Sequence, residues 1–175
     1  MQTSKPFNLL GWVQEHRHLL KPPVGNQTIY TGNKDFIVMV VGGPNARKDY
    51  HINLGEELFY QLEGTIEVGL KALDGTFSSV SLSPGDMMLV PACQPHQPRR
   101  PAGTVGLVLE RYRLPSELDS FVWFCENCQA QLHKADIPVA DIVTDLPLVL
   151  NAFWESVEKR TCKSCGTYME KPNQA

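Results

Sequence analysis

The sequence predicts a mainly β domain of two facing antiparallel sheets, jelly-roll-like, with a helix near each end. Three observations carry that prediction. From about residue 28 to residue 113, short runs rich in Val, Ile, Leu and Tyr are separated by turn residues, with no helical segment between them, the mark of an antiparallel sandwich or barrel. Helical periodicity appears only outside that region. The chain has 175 residues, 42% of them hydrophobic, which is enough for one full domain with a sizeable core.

Taken in order, residues 8–20 (NLLGWVQEHRHLL) read as a helix. Asn8 is a candidate cap, and Leu9, Trp12, Val13, His16 and Leu20 fall near one face. The Pro/Gly loop KPPVGN ends it. DFIVMVVGGPN is a strand running into a turn. HINLGEELFYQLEG reads as one strand, and a second follows after a turn near Glu63-Gly64. LDGTFSSVSLSPGDMMLVPA continues the series through Asp-Gly and Pro-Gly turns, and TVGLVLERYR closes it. After Pro115 the composition changes. FVWFCENCQAQLHK reads as a strand and a cysteine knuckle, residues 145–160 as an amphipathic helix, TCKSCGTY as a second knuckle, and KPNQA as a disordered tail. In the helix, Asp145 is a candidate cap and Pro147 belongs to the first turn. The expected organisation is a barrel with its N-terminal helix over 1–115 and an extension over 116–175, packed as one unit.

The formal charge is −3 and no Lys/Arg block stands out, so no nucleic-acid partner is expected. No apolar run approaches the roughly 20 residues of a membrane span, and MQTSKPFNLLGW lacks the features of a signal peptide. A cytoplasmic location is expected. Four of the five cysteines form two CxxC pairs, Cys125/Cys128 and Cys162/Cys165. In that compartment they are metal ligands rather than disulfides. Four thiolates close a tetrahedral coordination sphere, so the site is structural, and its metal is iron or zinc.

A strand burying Leu and Phe does not also accept a histidine and glutamates unless something neutralises them. His51 and Glu57 share parity and could point inward together, with Glu56 as the alternative acid. A second histidine, His96, ends a loop stiffened by Pro91 and Pro95. Two imidazoles and one carboxylate are the ligand set of non-haem Fe(II) oxygenases, which leave coordination positions open. Arg47 and Arg100 lie four residues before His51 and four after His96. A buried arginine is costly unless it meets an anion, and a guanidinium fork suits a carboxylate. Arg99 is the neighbour that could be confused with Arg100. Glu110 is an acid in an apolar strand, on the face of Val108 and Tyr112. Cys93 reads as a small buried residue, and His16, His18 and His133 as structural or surface residues.

The spacing His51-x5-Glu57-x6-Gly64, then Gly85-x5-Pro91-x4-His96, is similar to the two motifs of the cupins, double-sheet β-barrels with a metal inside. The cupin pattern has a further histidine where this chain has Asn53, and a glycine where it has Cys93. With LLKPPVGN, VVGGPN-x-R-x-DYH, EE-x-FYQL-x-G, LV-x-ER, the cysteine pairs and IVTDLP, nearly the whole chain resembles the bacterial-type 3-hydroxyanthranilate 3,4-dioxygenases. The resemblance implies Fe(II) on His51, Glu57 and His96, and ring opening of 3-hydroxyanthranilate by O2 to 2-amino-3-carboxymuconate semialdehyde, a step of tryptophan catabolism and NAD synthesis. It implies Arg100 on the substrate carboxylate, Arg47 on the dioxygen side and Glu110 against substrate. It also implies Asn26 on a loop that closes over the site, a rubredoxin-like iron at the cysteines and a homodimer. Glu110 is further expected to pair with Arg100 when substrate is absent. The alternatives are another metallo-cupin, such as a sugar-phosphate isomerase or a thiol dioxygenase, and a non-catalytic sensor of aromatic acids or redox state.

Overall fold

A computed structural model describes residues 5–21, 25–32, 34–45 and 47–172. Pro22, Pro23 and Val24 of the early loop and the last three residues of the tail lie outside that set. Among the described residues, eleven strands form two antiparallel sheets. One has the order β1 (Asn26–Thr28), β2 (Phe36–Gly42), β9 (Val105–Arg111), β4 (Glu57–Glu63), β7 (Met87–Val90). The other has the order β11 (Gln131–Ile137), β10 (Asp119–Phe124), β3 (Asp49–Ile52), β8 (His96–Arg99), β5 (Ile66–Lys71), β6 (Phe77–Leu82). The sheets remain separate, without hydrogen bonds closing them into one barrel, and they share an apolar core. Met39, Phe59, Val90 and Val108 of the first sheet pack with Ile66, Val68, Leu82, Phe121 and Trp123 of the second. Alternation drives this packing: β4 reads buried at Glu57, Phe59 and Gln61 and half-buried between them, the period-2 signature of a sheet with one buried face.

The segment HINLGEELFYQLEG is two strands rather than one. It crosses from β3 in one sheet to β4 in the other. At the crossing, the Asn53 side-chain oxygen accepts the Gly55 N–H at 2.8 Å, a local Asx turn. Strand parity therefore does not relate His51 to Glu57. Both point inward because each alternates against its own sheet. Gly64, with φ +64°, turns β4 into β5, and a Cβ there would lie 2.8 Å from Thr104 Cγ2. Cys93 also has positive φ, +63°, which accounts for a glycine at that position in the cupin pattern. It is exposed, not buried as expected.

The helices are shorter than the sequence suggested. α1 (Leu9–His16) is capped by Asn8, whose side chain accepts the Gly11 N–H at 2.9 Å, and continues only as a 3-10 turn over Arg17–Leu19. α2 runs Ile142–Trp154 and is capped by Asp141. Asp145 instead reaches back to accept the N–H groups of Ala140 and Asp141, both at 2.9 Å, which places Pro147 beyond the first turn. Ser156 then starts the short α3 (Val157–Arg160). β11 was not anticipated at all, and pairs with β10 along its length. α2 closes one end of the sandwich, burying Leu146, Phe153 and Trp154 in the same core as Phe121 and Trp123. Phe153 stacks on Trp123 with centroids 4.2 Å apart. The tail is partly placed: Lys171 and Pro172 line the cavity described next.

Candidate active site

Register brings the site together. His51 on β3 lies opposite His96 on β8, while Glu57 on β4 lies opposite Glu110 on β9. Two strand pairs, one from each sheet, thus present two imidazoles and two carboxylates to the space between the sheets. All four residues are buried. His51 Nδ1 is 3.2 Å from Glu57 Oε1, and His96 Nε2 is 3.3 Å from Glu57 Oε2. His96 Nδ1 lies 3.0 Å from the Gln94 carbonyl, which fixes its outer nitrogen as the donor. Glu56 is exposed, so Glu57 is the acid of this group.

These donors fit a divalent cation. One ligand atom from each of His51, Glu57 and His96 lies within 4.8 Å of the others, and the set is the facial two-histidine, one-carboxylate type. Without a cation, the His96 and His51 rings hold the Glu57 carboxyl well below its usual range in spite of its burial. Burial works to lower His51, yet its hydrogen bonds to Asp119 and Glu57 push it up to about 9. A cation would replace that proton. Asn53, which stands where the cupin pattern has a histidine, donates its amide to Glu57 Oε1 at 2.6 Å and to Glu110 Oε2 at 3.2 Å. It bridges the two acids rather than adding a ligand.

A cavity of about 230 Å³ opens onto these residues. Arg47, Arg100, Asn26 and Glu110 line it, as the sequence anticipated, with Met39, Val41, Phe59 and Val108 from the first sheet. The wall formed by Ile142, Leu146, Pro147 and Trp154 of α2 was not anticipated. Arg47 pairs with the fully buried Asp49. Arg100 is 3% exposed, and its Nη1 reaches Gln61 Oε1 at 3.3 Å while its Nε finds no partner. Burial, then the charge of Arg47, lower it to about 10. Arg99, by contrast, is exposed and bonds Ser79. The expected Glu110–Arg100 pair is not formed, because Arg113 takes Glu110 Oε2 at 2.8 Å. Burial and the neighbouring Glu57 raise the Glu110 carboxyl. Around the cavity, Asp49, Glu57, Glu110 and Asp119 face Arg47, Arg100 and Arg113.

The second cluster lies at the far end of β10. Cys125 and Cys165 Sγ are 3.6 Å apart, and Cys128 and Cys162 Sγ 3.5 Å. Four thiolates at about 2.3 Å from a tetrahedral metal would be about 3.8 Å from one another, so this set also fits a metal. The Thr167 hydroxyl and N–H at Cys165 push its thiol down to about 5, the thiolate form that a metal requires.

The sequence model of one family, 3-hydroxyanthranilic acid dioxygenase, matches residues 1–154. A 3-hydroxyanthranilate 3,4-dioxygenase of Xanthomonas euvesicatoria pv. vesicatoria (strain 85-10) is 48% identical over 170 residues, covering 97% of this chain and 94% of that protein. One from Burkholderia cenocepacia is 48% identical over 164 residues, covering 93% of this chain and 92% of that protein. Among solved structures, a cupin-2 domain containing protein from Shewanella frigidimarina is 16% identical with a TM-score of 0.40, over 56% of this chain and 90% of that chain.

Proposed function

This chain belongs to the 3-hydroxyanthranilic acid dioxygenase family, and we infer that it opens the ring of 3-hydroxyanthranilate with O2 to give 2-amino-3-carboxymuconate semialdehyde. One observation carries the reading beyond membership. A buried guanidinium without a carboxylate partner, Arg100, shares a cavity with a two-histidine, one-carboxylate donor set. Such a cavity suits an aromatic monoacid next to a metal.

His51, Glu57 and His96 would hold Fe(II), which supplies a redox-active centre with open positions for substrate and dioxygen. The protein's own groups do the rest. Arg100 takes the substrate carboxylate, where its fork exchanges an unsatisfied burial for a charge-assisted pair. Arg47, held by Asp49, lines the same cavity and stabilises negative charge as it develops on oxygen. Glu110, raised by burial and Glu57, accepts the proton of the 3-hydroxyl. Met39, Val41, Phe59, Ile142 and Leu146 exclude water from the aromatic ring. Asn26 begins β1, paired with Val41 of β2 rather than lying on the expected loop, and it lines the cavity, from where it contacts substrate. The four cysteines hold iron or zinc and clamp the C-terminal helices to β10 within the extension (116–175), while the pairing of β10 with β3 joins that extension to the first part of the chain (1–115), so that the two work as one unit. A homodimer and a cytoplasmic location belong to the same proposal. None of the helices among the described residues is long and apolar enough to cross a membrane.

Oxygen uptake by anaerobically Fe(II)-loaded protein given 3-hydroxyanthranilate under labelled O2 tests the reading. Stoichiometric uptake with both labelled atoms in a ring-opened product is expected. Full iron occupancy without uptake would exclude this substrate and return the isomerase and sensor readings.

A further inference from the structure

We propose that Asp119 is the positioning residue of His51, and that Arg113 locks it in place while tying it to Glu110. Asp119 opens β10 and is 1% exposed. Its Oδ2 lies 2.7 Å from His51 Nε2. The same carboxylate receives a fork from Arg113, with Nε to Oδ1 at 3.0 Å and Nη2 to Oδ2 at 2.6 Å. Arg113 Nη2 is also 2.8 Å from Glu110 Oε2. A continuous buried chain, His51–Asp119–Arg113–Glu110, therefore connects a metal-donor imidazole to the acid on the substrate side.

The chemistry of the groups sets the direction of each bond. An Asp119 carboxylate paired with a guanidinium is ionised and can only accept. His51 Nε2 must therefore be the donor. Nδ1, 3.2 Å from Glu57 Oε1, is then the nitrogen whose proton a cation would replace, leaving its lone pair for the metal. Phe121, opposite His51 in the register of β3 and β10, stacks on the ring with centroids 5.0 Å apart and planes at 13°. Phe121 fixes the plane of the imidazole, and Asp119 fixes its rotation within that plane and its tautomer. A carboxylate behind a ligating histidine also raises the basicity of the ligating nitrogen, and losing one costs about 10- to 100-fold in metal affinity. Arg113 makes a third carboxylate tolerable so close to Glu57 and Glu110, since without it three acids would crowd one buried space.

The inference rests on His51, Glu57 and His96 being the metal donors, and one titration series separates the two claims. Full-length protein, metallated at the cysteines, is titrated with Co(II) against a competing chelator, and the visible spectrum of the Co(II)-loaded form is recorded. The series compares wild type with Asp119→Asn, Arg113→Gln, Arg113→Lys and His96→Ala. We expect Asp119→Asn to weaken Co(II) binding by about 10- to 100-fold and to shift the spectrum. Arg113→Gln should follow it, and Arg113→Lys should restore part of the loss. If His96→Ala abolishes binding while Asp119→Asn binds as wild type with an unchanged spectrum, the positioning role is wrong. If His96→Ala binds as wild type, the donor assignment itself is wrong and the proposal falls with it. Should Asp119→Asn not fold, the two Arg113 variants decide: wild-type affinity in both would overturn the clamp.

Discussion

Arg100→Met should make the protein more stable and nearly inactive at once. Arg100 is buried, its Nε is without a partner among the described residues, and its Nη1 donates to the neutral Gln61 at 3.3 Å. The fall to about 10 under burial and the Arg47 charge sets about 3 kcal/mol against the charged form, at about 1.4 kcal/mol per pH unit. Methionine fills much of the same volume without the charge, and replacing buried charges by apolar residues gains about 1–4 kcal/mol in known cases. With imperfect packing subtracted, a gain of about 1–3 kcal/mol is expected, at about 2–4 °C in Tm per kcal/mol for a chain of this size. The same change removes the partner of the substrate carboxylate. Truncating one side of a buried charge pair costs about 2–5 kcal/mol, on the order of 10² to 10³ in kcat/KM, with most of the loss in KM if the contact is equal in ground and transition states. Thermal melts of the ligand-free proteins and steady-state kinetics over a wide substrate range measure both quantities. A variant that is less stable than wild type, or one whose kcat/KM stays within a few-fold, would refute the assignment of Arg100 as an empty carboxylate receptor.

Glu110→Gln should lower kcat by about 10²-fold, in line with loss of a general base, while iron content stays that of wild type; loss of iron with the activity would mean that Glu110 supports the metal rather than the proton. His51 makes the metal-free protein pH-dependent. Its folded value is raised to about 9, so its contribution, about 3 kcal/mol, is fully present below about pH 6.5 and is lost as pH rises through about 9. Melts of metal-free protein should therefore fall between those values, and divalent-metal affinity should climb over the same window as the competing proton leaves. Cys162→Ser removes one of the two buried thiols of the second cluster and should cost about 4 kcal/mol or more. It should also raise KM, because α2 walls the cavity between the two cysteine pairs; an unchanged KM in a destabilised variant would uncouple the clamp from the cavity.

Most strands between Phe36 and Arg111 are legible because apolar alternation and turn residues act locally, and so are the two CxxC knuckles and the residue types of the donor set; the break between β3 and β4 and the strand β8 are not. The early misreadings share a cause. Asp145 looked like a cap because it precedes an apolar run, yet Asp141 takes that place and Asp145 bonds back to it. Helix ends are decided by such competing side-chain contacts. β11 escaped notice because QLHKADI is half-buried and edge-placed, which leaves little alternation to read.

By itself the sequence singled out the candidates for the chemistry: His51, Glu57, His96, Arg47, Arg100, Glu110 and the four cysteines. Only the tertiary structure decided how they work together. His51 meets His96, and Glu57 meets Glu110, through strand pairing across a crossing between sheets, a register set by which faces can bury apolar side chains. Arg113 lies past the end of β9 and Asp119 begins β10, so no local pattern related them. Packing made them one ion pair, and that pair took Glu110 away from Arg100. That Arg100 keeps no carboxylate partner among the described residues is thus a property of the fold, because long-range packing decides which buried charge is paired.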